Sequence, residues 1–404
     1  MDDKKVAAAI LEDISRELTQ FAAEAEFPSL LGGYSGTALF FANYYQLTGN
    51  EAYLDITYNT IQRSLDAISS VALPGSHCGG LSGVAWHLLH LANTGYIDPA
   101  DLDETFGDMD ATLAKYMQDE IENNKMDFLH QGLGVALYFL ERLPSPAAHQ
   151  QLEHLVAALG QHAIKLPTGI AWRDQFSTLS LEQEDRTLFN LGLAHGNPAI
   201  ISILSRIYEK GIAQDIIPGI ITPAVEWLLG TRKAAPEPGR SLFPVMVDDA
   251  GEPAGDINSR LGWCYGDMGI AQALLDAGER MQKPAWTAQA ADIFTYIANN
   301  RDIKNGAIHD ACMCHGSAGV ALMMQQAGIR LQDNKLKESA ANWYQTVTQQ
   351  NTWTDGAAGY KFYHYPDFVA SHNMLEGISG IGLSLMHFLE PEMNPTWASA
   401  MLIG

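Results

Sequence analysis

Apolar and polar positions fall into two kinds of segment that alternate along the chain. Segments 4–22, 50–70, 103–121, 147–163, 285–300 and 335–350 place apolar residues at helical spacing, with charges and amides on the other side, as in DNKLKE from Asp333 to Glu338. They predict amphipathic helices with one solvated face. Between them lie runs that are apolar nearly all round, each opening on a glycine-marked loop. A helix without a polar face is a buried one. The unit is therefore an outer amphipathic helix, a loop, and a buried inner helix.

The loop repeats as G-x-x-G followed by the apolar run. Its copies begin at Gly32, Gly79, His130, His195, Tyr265, His315 and Glu376. Their second glycine slots fall at Gly36, Gly83, Gly134, Ala199, Gly269, Gly319 and Gly380, spaced by 47, 51, 65, 70, 50 and 61 residues. Two copies depart from the pattern: Gln131 takes the first glycine slot of the third, and Ala199 the second slot of the fourth. Repeats of this kind build solenoids or rings in which neighbours bury one another's apolar face. The inner runs are too apolar to line an open concave surface. That favours a closed all-α architecture, a seven-hairpin α/α toroid forming a single domain over 1–404, above an open solenoid or an ordinary helical bundle. The longest spacings flank the fourth copy. The segments 164–190 and 232–258 read as inserts, the second with strand-like SLFPVMV from Ser241 and a turn at Asp248–Gly251, and predict a small β-containing lobe beside the ring.

Charge and cysteine content narrow the function. Acidic residues number 47 against 24 basic ones, a net charge of −23, which excludes nucleic acid as the main partner and suits a cationic peptide or simple solubility. The opening MDDKKVAAAILEDISREL reads as an amphipathic helix rather than a secretory signal, and no apolar run reaches the roughly 18 residues of a membrane span. These features, with sparse cysteine, suggest a cytoplasmic protein without a transmembrane segment. The 4 cysteines are Cys78, Cys264, Cys312 and Cys314. In a reducing compartment, cysteines grouped with histidine point to metal binding or catalysis rather than to disulfides.

Aligning the copies concentrates this chemistry. The residue two before the first glycine slot is Leu31, Cys78, Leu129, Ala194, Cys264, Cys314 or Leu375, and the next is Gly32, Gly79, His130, His195, Tyr265, His315 or Glu376. In a toroid these loops gather at one end. Cys264 in RLGWCYGD and the Cys314–His315 pair in CMCHGS form a soft sulfur and nitrogen set that suits Zn2+. Three protein ligands leave a fourth position open, as catalytic zinc requires. Two thiolates weaken the metal as a Lewis acid but leave a bound third thiolate nucleophilic, so thiol addition or alkylation is favoured over hydrolysis. Cys78 reads as a buried thiol, Cys312 as a spectator, and His130 as structural.

The motifs LAHGNP around His195, R-x-x-W-C-Y-G from Arg260 to Gly266, C-H-G at Cys314–Gly316 and L-E-G-I-S-G from Leu375, within repeats covering about residues 32–385, resemble the lanthionine synthetase C-like family, the stand-alone cyclases of class I lanthipeptide biosynthesis. The resemblance implies a seven-hairpin toroid with an SH2-like lobe, and zinc on Cys264, Cys314 and His315. The implied chemistry is addition of a peptide cysteine thiol to dehydroalanine or dehydrobutyrine, giving thioether rings. It implies that His195 is a general acid or base, that Arg260 stabilises an enolate, that Tyr265 hydrogen-bonds at the metal site, and that Asp127 orients His195. Gln131 departs from the pattern close to Asp127 and puts that last role in doubt. The implied partners are a dehydrated precursor peptide, leader plus core, and a dehydratase and exporter that would bring the chain to a membrane complex. Three alternatives remain. One is a zinc- and glutathione-binding adaptor related to the family. Another is a prenyltransferase-type thiol-alkylating enzyme, which would use one cysteine rather than two. The third is a metal-free toroid glycosidase with paired carboxylates.

Overall fold

Each amphipathic segment forms a helix whose ends lie within two residues of those expected, because its polar face meets water while its apolar face meets the ring. The computed structural model describes residues 3–98, 103–183, 185–234 and 236–404. The first three repeats are α1 (Asp3–Glu24) with α2 (Ser35–Thr48), α3 (Glu51–Ser70) with α4 (Leu81–Asn93), and α5 (Asp103–Glu122) with α6 (Val135–Glu141), and the inner α2 packs more on the α3 that follows it than on α1. The fourth is α7 (Pro146–His162) with α9 (Asn197–Glu209), and a short α8 (Thr178–Glu182) lies between them in the first insert. The last three are α10 (Ile217–Gly230) with α11 (Asp267–Arg280), α12 (Pro284–Asn300) with α13 (Ser317–Arg330), and α14 (Asn334–Gln349) with α15 (Ile378–Leu389). The even-numbered α2, α4 and α6, then α9, α11, α13 and α15, are the inner helices. Each packs on the next, and α15 packs back on α2, so the ring is closed: the fold is an α/α toroid.

Helix α10 is the outer helix that amphipathicity missed. Its sequence, IPGIITPAVEWLLG, lacks a charged face because the hairpin of β1 (Ile164–Leu166) and β2 (Gly169–Ala171) lies over it. Gly169, at φ 153°, crosses so close to Pro223 that a Cβ there would strike the Pro223 carbonyl. The two inserts meet in one antiparallel sheet in the order β3 (Leu188–Asn190), β4 (Met246–Asp248), β5 (Pro253–Ala254), with the expected turn between β4 and β5. Leu188, Met246 and Ala254 form a small apolar cluster of their own, flanked by Leu179 and Val245. A further hairpin, β6 (Phe362–His364) and β7 (Asp367–Val369), stands in the seventh loop, where no strand was expected.

The repeated glycine has a steric cause. At the second slot of six copies a Cβ would run into the carbonyl of the residue six positions earlier, as Gly83 would against His77 and Gly319 against Met313. With the loops folded back this tightly, their backbones join. Leu31 N–H donates to Cys78 O at 3.2 Å, Cys78 to Leu129 at 2.8 Å, Ala194 to Cys264 at 3.2 Å, Cys264 to Cys314 at 3.3 Å, Cys314 to Leu375 at 3.0 Å, and Leu375 back to Leu31 at 3.0 Å. Every participant occupies the same place in its repeat. Among the described residues, Leu129 and Ala194 are the neighbours that no backbone bond connects.

The repeat pattern gave no sign of what fills the middle of the ring. After α15 the chain turns back into the barrel. Trp397, fully buried, donates through Nε1 to His387 at 3.0 Å near the far ends of the inner helices. The chain then rises to the loop end, where Ala400 O accepts from His77 Nε2 at 2.9 Å and Met401 O accepts from Trp263 Nε1 at 2.6 Å. It reverses at Leu402 (φ 55°), and Gly404 O accepts from Arg206 at 2.6 Å and Arg280 at 2.5 Å, back at the far end. Residues 397, 398 and 400–403 are all buried. Trp397→Ala should therefore leave a cavity on the barrel axis and cost about 3–5 kcal/mol of stability, read as a lowered midpoint in urea unfolding.

Candidate functional site

The loops before α11 and α13 carry the cysteines, and the Cys264–Cys314 backbone bond holds the two residues side by side. One donor atom each of Cys264, Cys314 and His315 lies within 4.8 Å of the other two. Gly266, next but one to Cys264, sits at φ 86° with Ser259 against the position of a Cβ, so only glycine allows this turn. The Cys264 thiol is pulled well below its ordinary range by the hydrogen bond from Cys314, against the effect of burial, with His315 and Arg260 adding to the pull. The same contact pushes Cys314 up. The contact thus favours a thiolate on Cys264, the form in which sulfur binds a metal.

The residues present fit a metal. His315 Nε2 is buried without a hydrogen-bond partner, 3.6 Å from Asp310 Oδ2. A second grouping, Asp310 with Cys312 and His315, is also compact, but its donors are committed. Asp310 Oδ1 accepts from Cys312 N–H at 2.9 Å and Oδ2 from Tyr363 N–H at 2.7 Å, while burial pushes the Cys312 thiol up to about 12. Cys264, Cys314 and His315 therefore form the better ligand set. Asp310 lies beside this set as a negative charge near His315, its carboxylate held by the Cys312 and Tyr363 amides.

The other candidates lie around the same mouth. His195 Nδ1 and Asp127 Oδ2 are 2.6 Å apart, across the gap in the backbone ring between the third and fourth loops. Asp127 is itself held: its Oδ1 accepts from His130 N–H at 2.8 Å, and its own N–H donates to Gln131 Oε1 at 3.0 Å. Gln131 Nε2 reaches Gln175 O at 3.4 Å in the first insert. The Gln131 backbone is extended at φ −125°, which any residue can adopt, and its amide ties the Asp127 loop to the insert. Burial works against a charged His195, but the hydrogen bond and charge of Asp127 outweigh it, and the pKa is raised. Burial pushes the Tyr265 phenol up to about 12, so it stays a proton donor at neutral pH. Its ring lies 5.4 Å from that of His195, and its hydroxyl accepts from Asn190 Nδ2 at 3.4 Å. Arg260 is exposed, and among the described residues its guanidinium meets no hydrogen-bond or ion-pair partner, although its charge reaches Cys264.

Sequence reasoning did not single out Asp310, Asn190 or Phe176. They stand outside the repeated slots, and Phe176 lies in an aperiodic insert. His130 did carry a signal, its slot being that of His195 and His315, and the structure sets its ring 6.0 Å from His195. Cys78 is buried on the backbone ring, its thiol pushed up to about 12 by burial and by Glu376 and Asp127, and it does not join the ligand group. Asp127→Asn should remove the anion that keeps His195 protonated. The His195 titration should move down toward or below about 6.5, measured by following the imidazole protons by NMR across pH.

A family model described as lanthionine synthetase C-like protein matches residues 25–402. Among solved structures, nisin cyclase superposes with a TM-score of 0.77 over 97% of this chain and 96% of its own, at 18% sequence identity. A sugar epimerase from a ruminal bacterium (TM-score 0.46, 12% identity, 89% and 87% covered) and the cellobiose 2-epimerase of Bacillus thermoamylovorans (0.48, 11%, 95% and 100%) were also found. A search of curated proteins gave no match. The likeness to nisin cyclase carries the fold; the family match, which spans nearly the whole length, carries more, and by it the chain belongs to the lanthionine synthetase C-like family.

Proposed function

We propose that this protein is a zinc-dependent lanthipeptide cyclase, adding cysteine thiols of a dehydrated precursor peptide to dehydroalanine or dehydrobutyrine to form thioether rings. The observation that supports it most is that a three-ligand sulfur and nitrogen cluster and an Asp127–His195 pair share one mouth of the toroid. Zinc on Cys264, Cys314 and His315 would lower the pKa of a substrate thiol, otherwise about 8.5, so that it is anionic at neutral pH.

The remaining work falls to side chains. Attack of the thiolate sulfur on the β-carbon moves the alkene electron pair into an enolate, and the α-carbon then takes a proton. His195 is suited to supply it: Asp127 occupies Nδ1, fixes the ring and keeps it protonated, which leaves the other nitrogen for the substrate. Arg260 brings an uncommitted cation toward the enolate oxygen, and the Tyr265 hydroxyl is a neutral donor beside it. The Asp310 carboxylate, 3.6 Å from His315 Nε2, adds a negative charge beside the ligand group. The acidic surface would suit a basic peptide or partner, and a dehydratase and exporter are the proposed neighbours in the pathway. Among the described residues no helix is long and apolar enough to cross a membrane.

Elemental analysis should find about one zinc per chain, lost in Cys314→Ala. Incubated with a dehydrated, cysteine-containing peptide, the wild type should protect the cysteines from alkylation as rings close. His195→Ala should keep its zinc and slow closure by about 100-fold or more. Full zinc with no ring closure on any dehydrated peptide would instead leave the thiol-binding adaptor; absence of zinc from freshly prepared protein would overturn the thiolate mechanism.

A further inference from the structure

His130 occupies the repeat position of His195 and His315, yet the proposed chemistry gives its side chain nothing to do. Its surroundings are specific. The ring centroids of His130 and Phe176 are 5.0 Å apart, those of Phe176 and His195 5.3 Å, and those of His130 and His195 6.0 Å, with interplanar angles of 17°, 11° and 12°. Three nearly parallel rings cannot form a single column at these separations. Each layer adds about 3.5 Å, so the outer pair would stand about 7 Å apart. The three rings therefore form a cluster of slipped, near-parallel planes in which each neighbours the other two. Phe176 covers one face of His195, the Tyr265 ring flanks it at 5.4 Å, and Asp127 takes Nδ1. His130, by contrast, is exposed.

The proton account of ring closure makes this arrangement useful. Zinc held by Cys264, Cys314 and His315 would let a substrate thiol give up its proton there. The C–S bond forms at the β-carbon, the π pair moves to the enolate, and the α-carbon takes a proton from His195. The reaction is proton-neutral overall, but the proton is released in one place and consumed in another, so His195 must be recharged once per ring. Phe176 lies over one side of His195 and Tyr265 flanks it, while the exposed His130 ring stands beside it.

We infer that His130 is the proton relay for His195, passing a proton from solvent to the half-buried imidazole across the 6.0 Å that separates their ring centroids. This rests on the cyclase reading above. The groups that face His130 are Asp127, His195, Phe176 and Tyr116, whose hydroxyl donates to the His130 carbonyl at 3.4 Å. Partial cover by the neighbouring rings, with the His195 charge, lowers the His130 pKa against the pull of Asp127. The bond that holds Asp127 comes from the His130 backbone amide, so replacing the side chain leaves the Asp127–His195 pair supported.

The test is ring closure by full-length H130Q and H130F at pH 7 in dilute, imidazole-free buffer, with zinc content and melting temperature measured beside it. Expected are a kcat lowered at least about tenfold, a KM for the dehydrated peptide close to that of wild type, and recovery of kcat in both variants as free imidazole is added, to which the wild type is indifferent. An unchanged kcat, or a loss that imidazole does not restore in proteins with normal zinc and melting behaviour, would overturn the relay while leaving the cyclase standing. A wild type that closes no ring would overturn both.

Discussion

Six backbone hydrogen bonds, passed from each loop to the next around the mouth of the toroid, fix where everything else can be. Each uses the residue two before the first glycine slot, and in six copies the second glycine lets the loop fold back closely enough for the bond to form. A bond of this kind is worth about 0.5–1.5 kcal/mol net, and leaving its groups buried and unmade would cost more. Cys264 and Cys314 therefore meet because they are successive members of this circle, before any metal draws them together. The ligand set is a property of backbone geometry, decorated by two cysteines at consecutive positions.

The circle is broken between Leu129 and Ala194, and that is where Asp127 and His195 meet. A side-chain pair at 2.6 Å bridges the two loops where the backbone does not. The first insert reaches the same gap: Gln131 holds Gln175, and Phe176 lies across the imidazoles. The two halves of the site thus have different mechanical characters. The cysteines ride on a continuous hydrogen-bonded hoop, whereas the histidine pair stands at its seam, supported by amides and rings from an insertion.

Much of this was readable in the chain. Outer helices such as α14 announced themselves because one face is solvated, and the clustering of Cys264, Cys314, His195 and His315 emerged once the copies were aligned. What escaped did so for physical reasons. Helix α10 has its outer face under a hairpin and so carries no polar stripe. Asp310 acts from a loop five residues ahead of His315, outside the repeated slot. Gln131 looked like a defect because glycine fills that slot elsewhere, yet the backbone there is extended and the amide is used. The segment WASAMLI, from Trp397 to Ile403, is too short for any periodicity to show that it belongs inside the ring.

That segment decides the traffic through the molecule. With Trp397, Met401 and Leu402 packed along the axis and carbonyls engaged by His77, Trp263, Arg206 and Arg280, the toroid is plugged, and the candidate site lies at its loop end as a door without a passage behind it. On the proposed reaction a precursor peptide cannot thread through from one side to the other. It must dip each cysteine and its dehydrated partner into the same shallow mouth and withdraw again. A product with several rings is then assembled by repeated visits, and the order of its rings is set by which loop of the peptide reaches the door first.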